Sequence, residues 1–336
     1  MSSSAPKTAA PVKSTGLHKG DIAPGVAKVD PIIIADKVTR TFGGLAAVDV
    51  DHLEIPRNAI TALIGPNGAG KTTLFNLLTG FDKPNTGDWS FNGKSLSGVP
   101  AFRVAKMGQV RTFQLTKALG LLTVLENMKL GAKTQLGERM LPSLLPFLWR
   151  KQETEIEEKA MEILARFKLD TKADDFAASL SGGQRKLLEM ARALMSDPVL
   201  VMLDEPMAGV NPALTQSLLE HILDLKTQGM TVLFVEHDMQ MVSHIADWVV
   251  VMAEGKVVAE GPPDIVMKNP AVIDAYLGAH IDTDLGVVTG RHEAPGGAKK
   301  AKITAEAIAA EGAAEADEVE PPVKKKRAAP KKEAGK

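Results

Sequence analysis

The chain has 336 residues, enough for one large domain or two ordinary ones, and 44% of them are apolar, enough for a sizeable core. A formal net charge of -1 gives no global drive toward nucleic acid, and the absence of cysteine excludes disulfides and thiolate metal centres. No run approaches the roughly 18 apolar residues of a membrane span, and residues 1–16 lack the apolar centre of a secretion signal. The expectation is a soluble intracellular protein that meets any membrane through partners.

Residues 1–30 are rich in Ser, Ala, Pro, Lys and Gly without a sustained period, and are expected to be a flexible extension. PIIIADKV (31–38) and AAVDVDHLEI (46–55) read as early strands, and AITALI (59–64) as a short buried strand. GDWSFNG (87–93) alternates and ends on Gly, as an edge strand or hairpin does. From 116 to 178 a mostly helical stretch is expected, with KQETEIEEKAMEILARF (151–167) its clearest amphipathic helix. PVLVMLDEP (198–206), MTVLFVEHD (230–238) and DWVVVMAEG (247–255) are apolar runs of strand length with helical patterns between them. Unbroken apolar strands separated by helices predict a parallel sheet covered on both faces. Residues 285–336 carry no aromatic side chain and are rich in Ala, Lys, Glu and Pro, so a disordered tail is expected there, with KKKR (324–327) as a solvated charge run. The folded body is then 31–284, without internal repeats.

GPNGAGKT, Gly65, Pro66, Asn67, Gly68, Ala69, Gly70, Lys71 and Thr72, fits G-x-x-x-x-G-K-[ST] between a strand and a helix. The glycines let successive backbone N–H groups turn toward one anion, and the helix start adds its free N–H groups and positive end. Lys71 would reach the outer phosphates of a nucleoside triphosphate, the Thr72 hydroxyl would ligate magnesium, and Thr73 would lie beside them. Asp204 and Glu205 end an apolar strand, where ligands of open α/β sheets sit. Asp204 is the candidate magnesium-side acid, and Glu205 the candidate for polarising the attacking water. His237 ends the next strand and would contact the terminal phosphate and the water. Gln114, in RTFQL, would ligate magnesium or orient water through its amide.

LSGGQRKLLEMARAL (180–194) places Ser181, Gly182, Gly183 and Gln184 at a second helix start suited to an anion. With it, the order of motifs resembles the nucleotide-binding subunits of ATP-binding-cassette (ABC) proteins over about residues 31–280. That resemblance implies an α/β fold of the P-loop NTPase class: a mainly parallel core sheet, an antiparallel N-terminal subdomain and a helical subdomain at about 116–195. It implies ATP and Mg2+ as cofactors, Phe42 stacked on adenine, a turn at Ala208-Gly209-Val210-Asn211, and a signature stretch at 181–184 that closes over the partner subunit's ATP.

FGGLAAV (42–48), RTFQ (111–114), TVLENM (123–128), LDEPMAGVNP (203–212), FVEHDM (234–239) and VVAEGPPDIVMKNPAVIDAYLG (257–278) are similar to the larger ATPase subunit of high-affinity branched-chain amino-acid importers. Urea and amide importers share much of this pattern. The resemblance implies a second, smaller ATPase subunit, two transmembrane permease subunits and a separate solute-binding protein, with the chain at the cytoplasmic face of the bacterial inner membrane. No specific nucleic-acid partner is expected. LPSLLPFLW (141–149) would meet a permease or pack on the helical region. Asn211 stands where many cassettes carry Asp, and Gln109 stands where an apolar residue is expected. The long coiled-coil inserts of repair cassettes and the paired cassettes of translation factors are both missing.

Overall fold

The computed structural model describes residues 23–112, 119–133, 135 and 146–276. The expectations for Gln114, for 141–145, and for most of both chain ends lie outside these residues.

Two sheets organise the chain. β1 (Pro31–Phe42) and β2 (Leu45–Pro56) form a long antiparallel hairpin, and β4 (Thr86–Phe91) and β5 (Lys94–Ser95) extend it in the order β2-β1-β4-β5. The second sheet has the order β10-β9-β3-β8-β7-β6. It is built from β3 (Ile60–Ile64), β6 (Gln109–Arg111), β7 (Leu200–Asp204), β8 (Thr231–Val235), β9 (Trp248–Ala253) and β10 (Lys256–Gly261). All its pairings are parallel except β9 with β10.

The apolar strands of this sheet sort by parity, because successive side chains leave opposite faces. Ile60, Ala62 and Ile64, Val201 and Leu203, Val232 and Phe234, Val249 and Val251 join one core, with the helices. Leu63, Leu200 and Met202, Leu233 and Val235, Trp248, Val250 and Met252 join the other, against α1 (Lys71–Leu78) and the antiparallel sheet. Both faces are thus dry, which is why these strands show no alternation in sequence.

The helical side carries α3 (Val124–Lys129), α4 (Pro146–Arg166) and α5 (Gly182–Leu194), after the short α2 (Ala101–Lys106). α3 starts on a capping box in which Thr123 and Glu126 each satisfy the other's backbone N–H. The described part of 116–178 is mostly helical, as expected, but not continuously so. Besides α3 and α4 it contains 3-10 turns at Asp170–Lys172 and Ala177–Ser179. The buried Asn127 side chain occupies the carbonyls of Leu119, Leu122 and Thr123, stabilising a non-helical lead into α3. α6 (Pro212–Thr227) joins β7 to β8, α7 (Met239–Ile245) joins β8 to β9, and α8 (Pro263–Val266) follows β10.

Two further regions of the core are tied by buried polar groups. Gln109 is buried, and its amide donates to the Leu78 carbonyl at 2.8 Å, joining β6 to the end of α1. Ahead of β1, Lys28 pairs with Glu260 at 2.7 Å, with side chains 3% and 0% exposed, and lies 4.8 Å from the Trp248 ring centre. Glu260 also accepts from Trp248 Nε1 and Val26 N–H, both at 2.9 Å, so the chain is fixed to the body before Pro31. Among the described residues no helix is long and apolar enough to cross a membrane.

Candidate functional site

The loop between β3 and α1 has positive φ at Gly65 (149°), Gly68 (79°) and Gly70 (97°). A Cβ on Gly65 would stand 2.1 Å from the Met252 carbonyl oxygen, and one on Gly70 would stand 2.1 Å from that of Ala47. Conformation and close approach therefore both require glycine there. Pro66 and Ala69 close the loop through a 3.2 Å hydrogen bond, with Asn67 exposed at its rim. Gly70, as N-cap of α1, supplies no side-chain acceptor, and the first turn holds no acid, so the helix start has no side-chain cap for its N–H groups. Half-buried Tyr276, from the C-terminal segment, sets its buried hydroxyl against the Gly65 backbone; burial pushes its pKa up to about 12.

Lys71 donates to the Gly65 and Pro66 carbonyls at 2.6 and 2.9 Å. Burial lowers its pKa, against the pull of Glu205 and Asp204, so the ammonium and both acids share one field. Thr72 is exposed on the first turn of α1 and Thr73 is partly covered. Asp204 ends β7 with its side chain 5% exposed, and its Oδ2 accepts from Arg111 at 2.7 Å.

Glu205 follows in the left-handed region, φ 45°, with its N–H on the Val235 carbonyl at 3.1 Å. That bend turns the chain out of the strand, so adjacent acids leave in different directions. A hydroxyl, a carboxylate and a phosphate are the hard oxygen donors magnesium takes, and an uncapped, glycine-lined helix start with a lysine beside it suits a polyphosphate. The residues therefore fit a magnesium–triphosphate group.

His237, past the end of β8, is 70% exposed, with Nδ1 3.7 Å from Glu236 Oε2. Glu236 was not singled out by the sequence. It is 2% exposed and accepts the Met207 N–H at 3.0 Å, so it ties the end of β8 to the turn after Glu205. Burial raises its pKa, and the Met207 and His237 N–H groups oppose that rise. The only sequence signal was an acid between an apolar strand and a histidine. Lys186, also unforeseen, reaches from α5 to the carbonyls of Glu205 and Pro206, both at 3.1 Å. Burial lowers its pKa against the pull of Glu236, Glu189 and Glu205.

The signature stretch opens α5, the helix that carries Lys186. Ser181 caps α5, accepting the Gln184 N–H at 3.2 Å while Gln184 Oε1 accepts the Ser181 N–H at 3.0 Å. Ser181 and Gly182 are exposed, and a Cβ on Gly182 would meet nothing within 4 Å. A Cβ on Gly183 would meet the Leu214 side chain at 2.2 Å. Asn211 caps α6 through the Leu214 N–H at 2.9 Å, a task an amide does as well as a carboxylate. Phe42, 50% exposed at the end of β1, carries the Arg40 guanidinium 4.6 Å from its ring centre. The structure thus brings Lys71, Asp204 and Glu205 together, with Glu236 and His237 beside them; Gln114 lies outside the described residues.

Residues 48–208 match the ABC transporter family model, and residues 256–282 match the model for branched-chain amino acid ATP-binding cassette transporters. The chain is 44% identical over 248 residues to the probable branched-chain amino acid transport ATP-binding protein LivG of Archaeoglobus fulgidus, covering 74% of this chain and 96% of that protein. It is 40% identical over 250 residues to the high-affinity branched-chain amino acid transport ATP-binding protein BraF of Pseudomonas aeruginosa, covering 74% and 98%. Among solved structures, the ADP conformation of MJ1267, an ATP-binding cassette of an ABC transporter, superimposes with a TM-score of 0.63 at 37% identity, covering 74% of this chain and 99% of that one.

Proposed function

This chain belongs to the ATP-binding-cassette transporter family, and on that premise we propose that it is the larger ATPase subunit of a branched-chain amino-acid importer. The observation that carries the solute class is the match of residues 256–282 to the branched-chain cassette model, alongside relatives whose names state that transport. Phe42 stacks on adenine. Gly65, Pro66, Asn67, Gly68, Ala69, Gly70 and Thr73 line the phosphates, and Lys71 moves from the loop carbonyls to the outer phosphates. Magnesium, when bound, would neutralise phosphate charge, with Thr72, Asp204 and Gln114 holding it. Glu205 polarises the attacking water, and His237 orients the water and terminal phosphate.

Ser181, Gly182, Gly183 and Gln184 complete the nucleotide site of a facing cassette, which fits a helix start whose Ser181 and Gly182 are exposed. ATP binding closes the pair and hydrolysis reopens it. The facing subunit is a second, smaller cassette. Two permease subunits hold the pair at the cytoplasmic face of the membrane, and a separate solute-binding protein delivers the amino acid. A groove of about 530 Å³ lined by Phe102, Val110, Leu130, Ala132 and Lys133 is open to a permease segment. We assign 31–284 as the nucleotide-binding domain, with extensions before and after it.

The test is reconstitution of the full complex in vesicles with labelled leucine, urea and acetamide as competing solutes. ATP-dependent leucine uptake is expected. Uptake of urea or the amide alone would overturn the solute class, and a complex without magnesium-dependent ATPase activity would overturn the enzyme.

A further inference from the structure

The two side chains assigned to magnesium stand on different elements, Thr72 on α1 and Asp204 at the end of β7. α1 and β7 share one core, and the spacing of the two polar groups at its edge depends on the contacts made there. Arg111, the last residue of β6, stands between them. Its Nη2 donates to Asp204 Oδ2 at 2.7 Å and its Nη1 donates to Asn76 Oδ1 at 2.6 Å. Asn76 lies four residues after Thr72 on α1, so the two share one helix face, one turn apart. The Arg111 guanidinium also lies 5.5 Å from the Phe75 ring centre. Arg111 and Asp204 are each 5% exposed, so neither swings freely in water.

We propose that Arg111 is a positioning residue for the magnesium site, whose two-armed guanidinium links α1 through Asn76 to β7 through Asp204 and so sets the spacing of Thr72 and Asp204, the residues that would hold magnesium. The inference rests on the reading of Thr72 and Asp204 as magnesium ligands. A planar guanidinium serves two acceptors at fixed separation, which an ammonium does not. It engages one carboxylate oxygen, Oδ2, and orients the other. Partners that orient metal ligands in this way commonly contribute tenfold or more to metal affinity. A purely structural ion pair would instead support the fold and leave the metal dependence of nucleotide binding untouched.

The experiment measures the affinity of the full chain for the non-hydrolysable imido analogue of ATP by calorimetry, in EDTA and across a magnesium chloride series. Arg111→Met keeps the volume over Phe75, and Arg111→Lys keeps the charge; circular dichroism confirms that both fold. Arg111→Met is expected to lower the apparent magnesium affinity about tenfold or more while metal-free affinity for the analogue stays within about threefold. Arg111→Lys is expected to recover only part of the loss, because one ammonium cannot hold both acceptors in the same geometry. Unchanged or tighter magnesium dependence in Arg111→Met, in a protein that still folds, overturns the proposal. So does full recovery by Arg111→Lys, which would reduce the role to charge. Failure of the native chain to bind the analogue more tightly with magnesium would overturn the magnesium reading itself, and this inference with it.

Discussion

Replacing Glu205 by Gln separates water activation from nucleotide binding. The side chains are nearly equal in size, and the φ of 45° is no harder for Gln than for Glu. Backbone ties at this turn are independent of the side-chain charge: the Glu205 N–H on the Val235 carbonyl at 3.1 Å, and Lys186 on the Glu205 and Pro206 carbonyls. They survive the change, so the fold is expected to be intact. Lys71 loses one of two acids in its field and keeps Asp204. A partly solvated charge at that range is worth up to about 1 kcal/mol, so nucleotide affinity should change by about fivefold at most. Loss of a general base costs about 10²–10⁴ in rate, or roughly 3–5 kcal/mol in the barrier. The assay is steady-state phosphate release by the assembled transporter, beside equilibrium binding of labelled ATP. Hydrolysis within about tenfold of native, with binding preserved, would refute the role of Glu205, since that loss lies below the range for a base.

Three further outcomes follow from the geometry. Lys28→Met leaves Glu260 buried with its Trp248 and Val26 donors but without its cation, and urea unfolding should show a loss of about 3 kcal/mol, with more than half recovered by adding Glu260→Gln. His221 stacks on Phe167 at 4.2 Å with Nε2 buried, and burial holds its pKa below 6.5 against the pull of Asp224. Below pH 6.5 the unfolded chain takes up a proton that the native chain resists, so stability falls as pH drops; His221→Phe should remove that part of the slope in unfolding curves recorded from pH 8 to 5. Ser181→Arg removes the α5 cap, costing about 1 kcal/mol of stability. It should abolish turnover at the facing cassette's nucleotide while leaving this chain's own ATP binding intact, and full turnover at both sites in a mixed complex would refute the composite site.

Features written in contiguous residues were legible from the sequence. A phosphate loop is one strand, one run of glycines and one helix start, so GPNGAGKT carries its own geometry. The strands at 59–64, 198–206, 230–238 and 247–255 were visible because a strand buried on both faces is apolar throughout. The strand-end positions of Asp204, Glu205 and His237 followed from those runs, and the order of motifs pointed to the family. The rest depends on register between distant segments. β6 is three residues long and β10 is mixed in polarity, so neither carried a readable period. The sorting of apolar strands into two cores needed the sheet order. The same holds for Lys28 with Glu260, 232 residues apart, Arg111 with Asp204, 93 apart, and Met207 with Glu236, 29 apart. A short-range pattern records which way each side chain points along its own strand or helix. Which partner it meets there is fixed only when the parallel strands align and bring their ends to one edge, and the charges that orient the nucleotide site are set by that alignment.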